Sequence, residues 1–447
     1  MSGRPEGERY PGARDGIRTL HRLRPPPGLV VTPGRTSAVW VGVAALAACG
    51  GARAPASAVP SLEAAPDAAS TAPSYEVYVA NESSDIVSRV SFEPGRGARL
   101  VRDTPVGLLP GEIDGAHGVT VAPDGSGVYV TLAHGTPYGS VWRLDIDGDT
   151  LTGRTELGLF PATLGVTPDG SLLFVVNFNL HGDMEPSDVS VVHTPTMQEV
   201  TRIRTCLMPH GSRVDGAGAR HYSVCMHSDQ LVEIDVGTLE LSRRFSLLPG
   251  REGPLALSEG GEVRTPGGGA AAAGEHARHV SAGAAVDRGG GGEAMADAVC
   301  SPTWAEPGEG SGAGRHVYVA CNRNAEILEV DVERWEVTRR FATGAGPYNL
   351  EATADGRWLL ATLKGEQALA VIDLESGAEI ARIPTTRPVT HGVVASHDAR
   401  WAFVTNEAVG GTRGTLDVVD LGTRRRVASV ELHHQPGGVD VRPPGDR

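Results

Sequence analysis

Lysine is all but missing from this chain: Lys364 is the only one among 447 residues, and no mechanism follows from its isolation at this level. Basic charge is short overall. The formal net charge is −14, and residues 1–48 hold seven Arg against Glu6, Glu8 and Asp15, which leaves about −18 on the remainder. A nucleic-acid binder needs a basic face, so this balance excludes one. Segments with helical periodicity are also lacking, as are the signatures G-x-S-x-G, H-E-x-x-H, C-x-x-C, C-x-x-C-H and the phosphate-binding P-loop. Those absences remove the common serine hydrolase, zinc protease, thiol redox, covalent haem and nucleotide-binding readings. No apolar run is long enough to span a bilayer, since the longest, within residues 37–51, has about a dozen residues where roughly 20 are needed.

That short run has the length of a signal-peptide core, with Arg35 as its positive flank. Its end, Leu46-Ala47-Ala48-Cys49, resembles the lipobox of bacterial lipoproteins, which implies lipidation at Cys49 and a membrane anchor. Residues 1–48 are therefore expected to be a leader, with a true start near Val30 or Val31. Residues 49–74, rich in Ala, Pro and Ser, are expected to be a tether. Four cysteines then remain, Cys206, Cys225, Cys300 and Cys321, in an envelope compartment where disulfides are permitted.

What the chain does have is a repeat. HGVTVAPDGSGVYVTL (117–132), TLGVTPDGSLLFVVN (163–177), HGSRVDGAGARHYSVC (210–225), NLEATADGRWLLATL (349–363) and HGVVASHDARWAFVTN (391–406) share a strand, a polar turn and a second strand, and a degenerate copy ends in RHVYVACN (315–322). A third and a fourth strand follow each copy. Four short strands per repeat, without helices, predict an all-β, seven-bladed β-propeller of four-stranded blades. The first repeat (75–107) lacks an innermost strand, and PGGVDVRP (436–443) matches it, so the C-terminal strand is expected to complete blade 1 and close the ring. The propeller thus spans 75–443 and is expected to be monomeric. Residues 249–299, Gly- and Ala-rich and without period, are read as a low-complexity inserted loop between blades 4 and 5.

With VYVAN (77–81), LFVVN (173–177), AFVTN (402–406) and the APDG and TPDG turns, the chain resembles the YVTN-repeat β-propellers, whose wider superfamily includes nitrous oxide reductase and cytochrome d1-type propellers. The resemblance implies the fold and leaves function open, because the family holds binding proteins as well as enzymes.

Aligned blades show which residues converge. The residue opening each first strand is Gly437, His117, Ala162, His210, Thr303, Tyr348 and His391, so three histidines share one column, spaced two, three and two blades apart. His117, His210 and His391 are candidate ligands for a transition metal, Cu, Fe or Zn. His134, His181 and His227 follow second strands on the same face, and Tyr348, Glu82 and Glu407 are further candidates for ligand contact there. The Asn residues ending second strands, Asn81, Asn177 and Asn406, are expected to tie turns. In blades 4 and 5 a Cys stands in that column and a partner Cys lies just ahead of the first strand, which predicts Cys206–Cys225 and Cys300–Cys321. The acidic run from Asp145 to Asp149, with Glu156 beyond, has the carboxylate spacing of a calcium loop but Thr150 where that loop needs Gly, so it is read as a hairpin turn.

Three functions compete. The first is a cell-envelope lipoprotein whose propeller binds a protein or small-molecule ligand. The second is a metal-dependent oxidoreductase built on the three histidines. The third is a propeller lactonase or related hydrolase, for which no matching catalytic set is found.

Overall fold

Inner strands of neighbouring blades approach one another so closely that side chains are excluded at the contact. In a computed structural model, residues 74–109, 111–134, 138–146, 150–257 and 298–444 are described; the leader, Cys49 and the tether up to residue 73 lie outside them, as do residues 147–149 and 258–297. The described residues fall in the unit Ala69–Arg447. They form seven antiparallel sheets in a ring, a seven-bladed β-propeller. The inner strands, from blade 1 to blade 7, are Pro436–Val441, Ala116–Val121, Pro161–Val166, Pro209–Val214, Pro302–Pro307, Pro347–Ala352 and Thr390–Ala395. As the repeat count requires, Pro436–Val441 pairs with Tyr75–Asn81 and completes blade 1.

Second strands such as YEVYVAN and LLFVVN are buried along nearly their whole length, so each blade is apolar on both faces and packs against its neighbours. The core is correspondingly divided between blades, as where Phe92, Trp401 and Phe403 meet across blades 1 and 7. Outer strands alternate exposed and half-buried residues, as Leu151–Glu156 does.

Every inner strand carries a register shift near its start against the second strand of its blade. A bulge of this kind re-aims side chains. Here the second and the fifth residues of the inner strands line the axial channel. The third is Gly at Gly118, Gly211, Gly392 and Gly438. A Cβ on Gly118 would lie 2.3 Å from the Ala162 carbonyl oxygen of the next blade, and one on Gly211 2.2 Å from that of Thr303. The threonine of the Y-V-T-N pattern works at the same contact. The Gly118 amide donates to Thr131 Oγ1 (2.8 Å), which donates to the Ala162 carbonyl (2.7 Å). Thr405 repeats this between Gly392 and Gly437, and Thr362 between Asn349 and His391.

The expected disulfides are present. Cys206–Cys225 and Cys300–Cys321 have Cα separations of 5.9 and 4.6 Å and sequence separations of 19 and 21. Each closure of that length contributes roughly 3 kcal/mol in the chain-entropy account. Cys206 belongs to the outer strand of blade 3, Gln198–Leu207, so the first disulfide also joins two blades. Two of the Asn residues bond backbone as expected, Asn81 Nδ2 donating to the Ile86 carbonyl (3.0 Å) and Asn177 Oδ1 accepting from the Gly158 amide (3.0 Å), whereas Asn406 Nδ2 donates to the side chains of Thr415 and Asp417.

One reading changes and one holds. Within the stretch read as a structureless loop, Gly253–Leu255 forms a short fifth strand on the outer strand of blade 4. That outer strand presents unpaired backbone groups, and even three residues of irregular sequence can cover them. Asp145 ends a third strand and Glu156 ends the antiparallel strand after it, at the far end of the hairpin, so those two carboxylates do not meet.

Gly118→Ala tests the inter-blade contact. Because backbone rather than a flexible side chain blocks the Cβ, we expect a loss on the order of 2–3 kcal/mol in denaturant unfolding, against less than about 1 kcal/mol for Gly111→Ala, which has nothing within 4 Å.

Candidate functional site

Second residues of the inner strands lie at one mouth of the channel, and the residues just beyond the second strands form a collar around them. The collar reads Glu82, Ala133, Phe178, Met226, Asn322, Lys364 and Glu407. With Phe160, which directly precedes the inner strand of blade 3, they build a closed belt of six rings, His117–Phe160–Phe178–His210–Tyr348–His391 and back to His117. Successive centroids are 5.5, 5.7, 4.8, 5.7, 4.7 and 6.3 Å apart, and every contact is edge-on, at 65–74°. Edge-on pairs are the favoured geometry of π systems, each contributing about 0.5–1.5 kcal/mol. His134 and His181 stack on one another at 5.8 Å outside the belt, and both meet Phe160. His227 is placed elsewhere, in the turn between Arg220–Cys225 and Gln230–Asp235, where its charge acts on Asp229.

Each belt histidine has its Nδ1 against an acceptor. His117 Nδ1 lies 3.0 Å from Glu82 Oε2, and His134 Nε2 lies 3.2 Å from Glu82 Oε1. His210 Nδ1 donates to the Thr303 carbonyl (2.8 Å), leaving Nε2 facing the Tyr348 hydroxyl at 3.3 Å. His391 Nδ1 approaches Glu407 Oε1 to 2.5 Å, an ion-pair distance without hydrogen-bond alignment. Lys364 meets the same oxygen, its Nζ 2.9 Å from Glu407 Oε1 and 4.1 Å from the centre of the Tyr348 ring. The one lysine of the chain is thus part of the mouth. Sequence reasoning passed over it, although it occupies the same alignment column as Glu82 and Glu407. Phe160 and Phe178 were passed over too.

Burial opposes ionisation throughout this mouth. It would raise Glu82, but His117 and His134 outweigh it and hold the carboxyl well below the usual range. For Glu407 it is Lys364, then His391, that overcomes burial and brings the pKa down to about 2. Burial pushes His210 down to about 3, and burial with the Lys364 charge lowers His391. The ammonium of Lys364 resists burial through Glu407 and stays charged, so it is no nucleophile at neutral pH. All four propeller cysteines are in disulfides, so no thiol is available among the described residues.

An imidazole whose Nδ1 is tied to a carboxylate or carbonyl has the wiring of a metal ligand. The placement differs, because Tyr348 stands between His210 and His391 and no three His, Cys, Asp or Glu side chains among the described residues are set to share one ion.

Below the belt the channel narrows to a waist of about 40 Å³, lined by His117, His210 and His391 with Trp304, Asn349 and Arg213, then opens at the opposite face into a cavity of about 300 Å³. The wide end is charged. Fifth residues of the inner strands place Arg213, Glu306, Glu351 and Asp440 there, a column the sequence alignment contained and our reading did not use.

No family model matches the chain, and no curated protein does. Solved structures share its fold. The chain is similar to Kuenenia stuttgartiensis hydrazine synthase (17% identity over 74% of this chain and 92% of that one, TM-score 0.51). It is similar to a functionally unknown protein from Desulfotomaculum acetoxidans (13%, 83% and 99%, TM-score 0.56) and to a putative 6-phosphogluconolactonase from Bacteroides fragilis (12%, 84% and 99%, TM-score 0.57). At these identities the likeness concerns the fold alone.

Lys364→Met should raise the pKa of His391, since the ammonium is a like charge and Glu407 would then act on the imidazole alone. Glu407→Gln should lower it. An NMR titration of the histidine side chains checks both signs, and an unmoved His391 would rule out the assigned coupling.

Proposed function

We propose that the protein is a binding propeller, held at the bacterial cell envelope by a lipid on Cys49, and that it recognises a protein or small-molecule ligand rather than catalysing a reaction. The observation that carries this is the closed ring belt: each of its histidines sets Nδ1 against an internal acceptor, and its rings pack edge-on against one another. Beyond the belt, loops of the same face expose Leu108 (56%), Ile113 (58%), Tyr138 (49%) and Met184 (42%). The lipobox resemblance supports the envelope placement.

A metal-dependent oxidoreductase would require His117, His210 and His391, which line one narrow chamber, to turn toward a common point, since among the described residues no three such side chains are set to share one ion. A lactonase would require an activated carboxylate or histidine, whereas the neighbours of Glu82 and Glu407 lower both carboxyls and so make them weak bases.

Protein purified from envelope membranes discriminates these readings. We expect less than roughly 0.1 equivalent of Cu, Fe or Zn, well below the one equivalent of a dedicated site, and release of the Cys49→Ala variant into the soluble fraction. One equivalent of metal that disappears in a His117→Ala, His391→Ala double variant would overturn the binding reading in favour of the oxidoreductase.

A further inference from the structure

One column of the propeller is aliphatic in every blade but one. Counted four residues back from the end of each second strand, it reads Val77, Val128, Leu173, His221, Val317, Leu359 and Ala402, all of them at most 1% exposed. His221 faces the seam between blades 3 and 4. Its ring stacks on Phe174 of blade 3, with centroids 4.9 Å apart and planes at 16°. Val214 and Ile234 lie opposite it on the neighbouring strands of its own blade. Neither ring nitrogen has a hydrogen-bond partner. The surroundings are those of a hydrophobic residue, and an aliphatic side chain would fill them without orphaning two polar atoms. The same seam is stapled covalently, Cys206 of blade 3 to Cys225 of blade 4. The staple sits at the belt end of Arg220–Cys225, and His221 lies four residues away, about 13 Å toward the opposite face.

We infer that the seam between blades 3 and 4 is an acid-sensitive joint: a proton on His221 parts the two blades at the face opposite the belt, while the Cys206–Cys225 disulfide holds them together at the belt end. The closed seam cannot hold an imidazolium. Both nitrogens would then be donors, and neither has an acceptor. The face of Phe174 attracts a cation, but more weakly than water solvates one, so the charge is accommodated only when water reaches the ring. Parting the strands at that end admits water and uncovers Phe174 and Ile234, and the staple confines the movement to the far side of the seam.

The charged groups of the strands packed around His221 are turned to other partners. In its own blade Arg213 approaches Glu306 and Glu351, Glu233 pairs with Arg243 and Arg220, and Asp235 accepts from the Thr238 amide. In blade 3 Asp188 accepts from Asn177, His193 meets Thr196, Arg202 pairs with Glu199, and Arg204 is exposed. Burial alone acts on the His221 ring and pushes it down to about 3. In an opened seam the ring titrates near its ordinary value of about 6.5. Above that pH both states are neutral and the seam is fully held. Between about pH 6.5 and 3 the open state binds a proton that the closed state refuses, so closure weakens roughly tenfold per unit as pH falls.

Amide hydrogen exchange of the full chain at about pH 7 and about pH 4.5, corrected for the intrinsic pH dependence of exchange, tests this. We expect protection of Leu172–Asn177 and Arg220–Cys225 to fall roughly a hundredfold at the lower pH, and that of Trp358–Leu363 in blade 6 to fall less than about threefold. His210 in the same blade is also kept neutral by burial, so the comparison with a His221 variant is decisive. His221→Leu, which completes the aliphatic column, should keep the seam protected at both pH values, and His221→Val provides a smaller replacement if leucine is not accommodated. In a Cys206→Ala, Cys225→Ala variant the acid response should spread from the seam to every blade. Equal seam protection at the two pH values, an acid response no larger in the seam than in blade 6, or one that survives unchanged without His221 would each overturn the joint. A seam that still opens alone without the disulfide would overturn the role of the staple. The joint lies away from the belt, so its failure would leave the binding reading standing.

Discussion

The carbonyl of the second inner-strand residue, bonded by the blade before it, is the contact on which the rest of this propeller depends. Thr131 reaches Ala162, Thr163 reaches His210, the His210 ring reaches Thr303, Thr303 reaches Tyr348, Thr362 reaches His391 and Thr405 reaches Gly437. Each bond contributes only about 1 kcal/mol, but each also satisfies a buried backbone acceptor that would otherwise be orphaned. Because the chain of contacts runs around the ring, the blades cannot splay without breaking several at once. Glycine at the third position lets the strands come near enough to make them.

The narrow channel follows from this approach, and so do its two unlike ends. A shift in register near the start of each inner strand lets two positions on one strand face the axis. At one end the second positions, with the collar, give imidazole, phenol and phenyl rings that pack edge to edge and neutralise their charges locally. At the other, the fifth positions give carboxylates around a loosely held guanidinium. One end is filled by its own side chains and the other holds open space.

Much of this was legible in the sequence because a ring maps a linear period onto a column of neighbours. The orphan strand 436–443, the recurring cysteine pairs and the column of His117, His210 and His391 could all be read by alignment. What escaped had a physical reason. Lys364 stands alone of its kind, so only its column, shared with Glu82 and Glu407, could have marked it. Phe160 and Phe178 read as ordinary hydrophobic residues until closure of the ring sets them between histidines. Arg213, Glu306, Glu351 and Asp440 look like scattered charges on strands, and it takes the bulge to turn their positions inward. Gly253–Leu255 has no strand propensity and is recruited by the open edge of blade 4. The lipid anchor and most of the insert lie outside the described residues and rest on sequence alone.

The account's central claim is that the ring is closed by Pro436–Val441, which also contributes Gly437 to one end of the channel and Asp440 to the other. The most direct measurement is cooperative unfolding, followed by circular dichroism in denaturant, of a chain ending at Gln435, alone and with the peptide PGGVDVRP added in excess. Closure by this strand predicts loss of the single sharp transition in the shortened chain and its recovery with the peptide. An unchanged midpoint and slope without the peptide would contradict it.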